Sequence, residues 1–159
     1  MTVYSSALRG DIETRDKMPA HKNVPQAVST TLVAGSLVYQ DGVNGVKVAP
    51  VAGTVEGSRI FFCKEGQTST ATLGEKLCTL YKTGHIVVGK CGGAIVVDDV
   101  CIQGETVGNE GEFEAGSFTA VADIAKHVAI YLGHPGEGIE TGNIPTDAVD
   151  GDLGRFLMK

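Results

Sequence analysis

Cys63, Cys78, Cys91 and Cys101 are the side chains here best suited to hold a soft metal or to exchange electrons, and their spacing argues against both. Gaps of 15, 13 and 10 residues contain no Cys-x-x-Cys pair and match neither a zinc ribbon nor a zinc finger. Three of the four lie in apolar runs (Phe62-Cys63, Leu77-Cys78-Thr79, Val100-Cys101-Ile102), where a reduced thiol behaves as a small buried hydrophobe. Cys91, in Lys90-Cys91-Gly92-Gly93, falls at a turn and is expected to be the exposed one. Reduced thiols without metal or cofactor are the expected state.

Covalent catalysis needs a nucleophile, a base and a group that orients the base. The chain has no Gly-x-Ser-x-Gly elbow, and His21, His85, His127 and His134 stand far apart. His85 and His127 fall where strands should begin, which leaves His134, in a loop before Pro135, as the histidine to test first. Asp98 and Asp99 are adjacent, so on a strand they would face opposite sides; a bulge or turn ending the preceding strand explains them better. Glu110, Glu112 and Glu114 alternate and would share one strand face, as oxygen ligands for calcium or as a charged edge that discourages wrong pairing. The edge is the preferred reading. The stretch from Gly84 to Lys90 lacks the spacing and the Lys-Ser/Thr pair of a phosphate loop. No enzyme is expected.

The elements that would carry these residues are short strands cut by glycine, of which there are 22 in 159 residues. Leu37-Val38-Tyr39 and Val46-Lys47-Val48 flank Asp41-Gly42 and Asn44-Gly45, a strong short-range hairpin signal. Ser58–Lys64 contains two adjacent phenylalanines, which implies a strand buried at its centre. Lys76–Tyr81 and His85–Gly89 flank Lys82-Thr83-Gly84, a turn of hairpin length. Ala94–Val97, Val100–Ile102, Gly116–Ala122 and Lys126–Leu132 complete the series, and residues 120–127 have room for one or two helical turns. The pattern predicts an all-β fold over 28–133, a single antiparallel β-barrel or sandwich.

Residues 1–27 show no sustained period and carry Pro19 and Pro25, so they read as an extended amino-terminal arm that folds only against a partner. Its mixed charges, Arg9, Asp11, Glu13, Arg15, Asp16 and Lys17, suit docking on a complementary surface. Removing such an arm should leave the barrel's stability unchanged. Residues 134–159 read as an acidic Gly/Pro-rich tail ending in an apolar tip, Phe156-Leu157-Met158, which is expected to dock on its own barrel or between subunits.

Charge is polarised along the chain. Residues 1–97 hold ten basic and seven acidic side chains, net +3, whereas residues 98–159 hold three basic and twelve acidic, net −9. The absence of a basic run interleaved with aromatics argues against nucleic acid. No apolar run approaches the roughly 18 residues of a membrane span. Met1–Ser6 lack the basic start and apolar stretch of a signal peptide, so synthesis in a cytoplasm is expected.

Ala34–Gly42, Gly45–Pro50, Gly104–Gly108 and Val128–Gly133 carry a resemblance: the chain is similar to the small β-barrel capsid decoration, or cement, proteins of tailed bacteriophages. The likeness spans about residues 28–133 and is one of sequence style. It implies a homotrimer on the outside of the virion head, bound over junctions of the major capsid protein, with the amino-terminal arm making the contact. A trimer offers matched contacts at a three-fold site, and three arms add avidity. Two other classes remain open. A carbohydrate- or ligand-binding fibre module would normally show tryptophan platforms, of which there are none; a small metal-binding β domain would need the cysteines to converge.

Overall fold

Alternation of apolar and polar positions drives the chain into strands that form two curled antiparallel sheets. A computed structural model describes residues 7–50, 55–117, 119, 121–138 and 141–159. It is nearly all β, 40% strand against 8% helix, as expected from the sequence. The first sheet runs β1 (His21–Pro25), β7 (Leu77–Tyr81), β5 (Ile60–Cys63), β3 (Ser36–Gln40), β4 (Val46–Val48). The second runs β10 (Phe113–Ala115), β9 (Val100–Gln103), β11 (His127–Gly133), β12 (Leu153–Met158), β8 (Ile86–Lys90). A small ribbon pairs β2 (Thr31–Leu32) with β6 (Gln67–Thr68). Each sheet curls until its outer strands nearly meet: Gln26, just after β1, bridges Val46 of β4, and Cys91, just after β8, bridges Phe113 of β10.

The adjacent phenylalanines of β5 show how the two layers share a wall. Successive strand residues face opposite sides, so Phe61 and Cys63 line the core inside the first curl with Val38, Val46, Cys78 and Leu80. Ile60 and Phe62 face the other way, into the larger core with Leu37, Phe113, Tyr131 and Phe156. A strand buried on both faces reads as a continuous apolar run, as Ile60–Cys63 does. In the second curl the Phe113 and Phe156 rings stack at 3.8 Å. Gly89 of β8 leaves room for them, since a Cβ there would overlap the Phe113 ring. In the β3–β4 hairpin, Gly45 takes φ +96°, a conformation L side chains disfavour, and sits against the Pro25 carbonyl.

Several local expectations are corrected. Lys82-Thr83-Gly84 is no hairpin: β7 and β8 belong to different sheets, and the turn is a corner, fastened where the Gly84 N–H donates to the Met158 carbonyl at 2.8 Å. Ala94–Val97 forms no ladder; Ile95 alone bridges Ala148. The expected strand Gly116–Ala122 gives way to a single helical turn, α1 (Val121–Ile124), with residues 118 and 120 outside the described ones. Asp98 has φ +72° and donates its N–H to the Tyr131 carbonyl, in keeping with the turn expected there.

The larger corrections concern the two ends. Of residues 1–27, two stretches, 10–13 and His21–Pro25, pair with the chain's own sheets. Gly10 and Glu13 donate N–H bonds to the Val88 and Ile86 carbonyls along the free edge of β8. Ile12 is buried in the main core, and β1 pairs with β7. Residues 1–6 lie outside the described ones. The far end is no tail either: β12 is an interior strand of the second sheet, between β11 and β8. Its residues Phe156 and Met158 are buried within the chain, with Leu157 half-buried, so the apolar tip is core rather than a subunit contact.

Candidate functional site

Glycine- and proline-rich turns after β11 bring four polar side chains to one place. His134 is buried, with Nδ1 2.9 Å from Thr146 Oγ1 and Nε2 2.8 Å from Asp152 Oδ2. Glu137 is buried beside it and accepts the His134 N–H at 2.8 Å, the Thr146 N–H at 2.9 Å and the Thr146 hydroxyl at 2.7 Å. Asp152 also accepts the Val149 N–H. Above this lies Arg155 of β12, whose Nε meets both carboxylate oxygens of Glu13 at 3.0 and 2.9 Å and whose other arm donates to the Glu137 carbonyl.

The hydroxyl–imidazole–carboxylate order of Thr146, His134 and Asp152 has the outline of a nucleophile triad, and its hydrogen bonding points elsewhere. The Thr146 hydroxyl gives its proton to Glu137, so it can only accept from His134 and is not activated by it. Burial pushes the Glu137 and Asp152 carboxyls up; hydrogen bonds from His134, Thr146 and Val149 outweigh it and hold both below the ordinary carboxylate range. A carboxylate so stabilised is a weak base. The cluster does mechanical work: it fastens the 133–152 turns so that β12 can return to the sheet.

That role sets a pH dependence. A carboxyl whose folded pKa is depressed contributes stability that is full above its ordinary value and lost as pH falls through the depressed one. The ordinary values are 4.5 for Glu137 and 3.8 for Asp152, so the loss begins below about pH 4.5 and deepens with acid. Glu137→Gln is expected to lower stability at neutral pH by about 2–3 kcal/mol, the worth of hydrogen bonds to a charged group, and to flatten the acid limb. Urea melts of both proteins across the acid range check this; an unchanged acid limb would refute it.

The six charged residues expected to touch a partner do not share one surface. Arg9, half-buried with its guanidinium near Glu112, and Glu13, paired with Arg155, belong to the body. Burial lowers the Arg9 pKa against the pull of Glu112. Asp16 is exposed. Asp11, Arg15 and Lys17 line an open cleft of about 380 Å³, joined there by Thr14, Lys64 and Tyr81. Sequence reasoning missed Lys64 and Tyr81, which lie on β5 and β7 flanks far along the chain; no local signal marks them.

The remaining candidates disperse. All four cysteines are free and buried, including Cys91, whose turn curls inward against Phe113. Burial pushes the Cys91 thiol up to about 12 and the Cys101 thiol higher still. Cys63 Sγ donates to the Glu65 carboxylate at 3.4 Å, and its interaction with Cys78 on the adjacent strand raises the first thiol and lowers the second. The three glutamates do not converge: Glu112 pairs with Lys90 at 2.7 Å, Glu114 accepts from Glu105 N–H and Asn109, and Glu110 accepts the Gly108 N–H. Among the described residues no group of three or more His, Cys, Asp or Glu side chains could hold a metal ion. Lys82, lowered to about 8 by burial, donates to the Gly57 and Ile60 carbonyls and so locks the turn before β5. No helix among the described residues is long and apolar enough to cross a membrane. No protein-family model and no curated protein matches the chain.

Proposed function

We propose that this protein decorates the outer surface of a tailed-phage head, binding as a homotrimer over junctions of the major capsid protein and stabilising that lattice. The observation that supports the reading best is the stapled all-β body. Residues 10–13 and β12 are both drawn into the second sheet, and the polar side chains that converge, Glu13, Arg155, Glu137, His134 and Asp152, hold that closure. A knob whose described ends are fastened suits a surface exposed to solvent and shear, and the sequence likeness over residues 28–133 points to the same class.

Reconstitution with purified undecorated heads tests it. The intact chain is expected to bind saturably, at a stoichiometry set by three-fold or quasi-three-fold sites, and to raise the heads' resistance to heat. Light scattering of the free protein at micromolar concentration shows whether trimers precede attachment. Failure of the intact chain to bind any tailed-phage head, under conditions where it is folded, would reject the decoration reading.

A further inference from the structure

On a protein of net charge −6, three cations gather around one concavity. Arg15 and Lys17 come from the amino-terminal segment and Lys64 from the end of β5, all exposed, around the cleft of about 380 Å³. Asp11 is the one carboxylate among the described lining residues, and its Oδ2 already accepts the Leu8 N–H at 2.9 Å. Among the described residues, none of Arg15, Lys17 and Lys64 forms an ion pair. Four other cations do have carboxylate partners: Lys47 with Asp41, Lys90 with Glu112, Lys126 with Glu105, Arg155 with Glu13. Like charges held together without a partner raise the energy of the free protein, and an anion relieves it.

The loop bearing two of these cations is fixed at both ends. His85, buried just before β8, has Nδ1 3.0 Å from the Thr14 hydroxyl and Nε2 2.9 Å from the Met18 carbonyl. Lys17 Nζ reaches the Gly84 carbonyl at 3.2 Å, so its ammonium faces the cleft from a set position. Tyr81, whose ring meets His85 edge-on at 5.0 Å, lines the cleft beside them. Holding the loop in place beforehand reduces the ordering cost of binding.

We infer that this cleft is a receptor for carboxylates on an acidic peptide segment of the partner surface. The choice of peptide over nucleic acid follows from scale and charge. A cleft of this volume admits one or two side chains, and the acidic remainder of the protein, net −9 over residues 98–159, would repel a long polyanion. The inference rests on the decoration reading only for where the acidic segment resides; the recognition chemistry is testable without it.

The probe is a fluorescent hexaglutamate peptide, followed by anisotropy with the full chain at low salt. Binding is expected, and it should weaken steeply as ionic strength rises well above about 0.1 M, where charges are screened within roughly 10 Å. Each of Arg15→Ala, Lys17→Ala and Lys64→Ala should weaken it about 2–5-fold, as for exposed ion pairs, and the triple variant roughly 30-fold or more. Lys64→Glu, at an exposed side chain outside the amino-terminal segment, serves as the variant least able to disturb the fold and should weaken binding more than Lys64→Ala. Equal peptide binding by wild type and triple variant, no peptide binding by the wild type, or preference for an oligonucleotide of equal charge would each overturn the inference. Undecorated heads separate the two readings. A triple variant that binds heads at full strength overturns the cleft and leaves decoration standing; a wild type that binds the peptide but no heads does the reverse.

Discussion

Deleting residues 1–27 is expected to abolish cooperative folding, the opposite of what a detachable arm would do. The deletion removes β1, so the edge of β7 and the Leu80 and Cys78 side of the first core lose their cover. It also removes Ile12 from the main core and the 10–13 segment from the edge of β8. Glu13 goes with it, so buried Arg155 keeps its bond to the Glu137 carbonyl but loses a charge-assisted pair worth about 1.5–3 kcal/mol. Against a typical total of about 5–15 kcal/mol, that loss together with the missing strand and core residue leaves little native state. Circular dichroism with urea melts is the check, and a truncated protein melting like the intact one would show that these contacts contribute nothing to stability.

Replacing Phe156 with alanine is expected to cost about 3–5 kcal/mol, the usual range for a fully buried phenylalanine. The ring is wholly buried, stacked on Phe113 and 5.6 Å from Tyr131, so its removal opens a cavity beside two rigid rings. The melting temperature should fall by roughly 10 °C or more for a chain of this size. Because these contacts are within one chain, the shift should not depend on protein concentration. Leu157→Ala, at a half-buried position, should cost far less. If Phe156→Ala instead left the melting temperature intact and dispersed an oligomer, the aromatic would be a subunit contact after all.

The amino-acid sequence disclosed what is local. Asp-Gly and Asn-Gly announced the β3–β4 hairpin, and the run Ile60–Cys63 announced a strand buried on two faces. Lys82-Thr83-Gly84 misled because a glycine turn of that length serves a hairpin or a corner between sheets equally well; only the partners of β7 and β8 decide, and those are distant. Residues 10–13 lacked a period because only Ile12 points inward from a short edge pairing. Their charges looked like a solvated arm, yet Glu13 answers an arginine 142 positions away. The polar cluster was half-visible: His134 stood out in its loop, and Glu137 at i+3 was within reach, but Thr146 and Asp152 arrive by tertiary closure. The basic cleft was visible only in its first two cations.

The place of β12 has a consequence for the order of synthesis. Every strand of the first sheet lies within residues 21–81, so that sheet can close while the ribosome is still extending the chain. The second cannot. Residues 153–158 are the strand that joins β8 to β11, and until these emerge β8 and β11 each present an open edge, with Phe113 lacking the ring it stacks on. Such edges invite pairing with neighbouring nascent chains. Translational pausing or truncation late in the message is therefore more hazardous for this fold than its modest size suggests. Residues 10–13 cover only the opposite edge of β8, through Val88 and Ile86, so the edge that awaits β12 stays open until the end of synthesis.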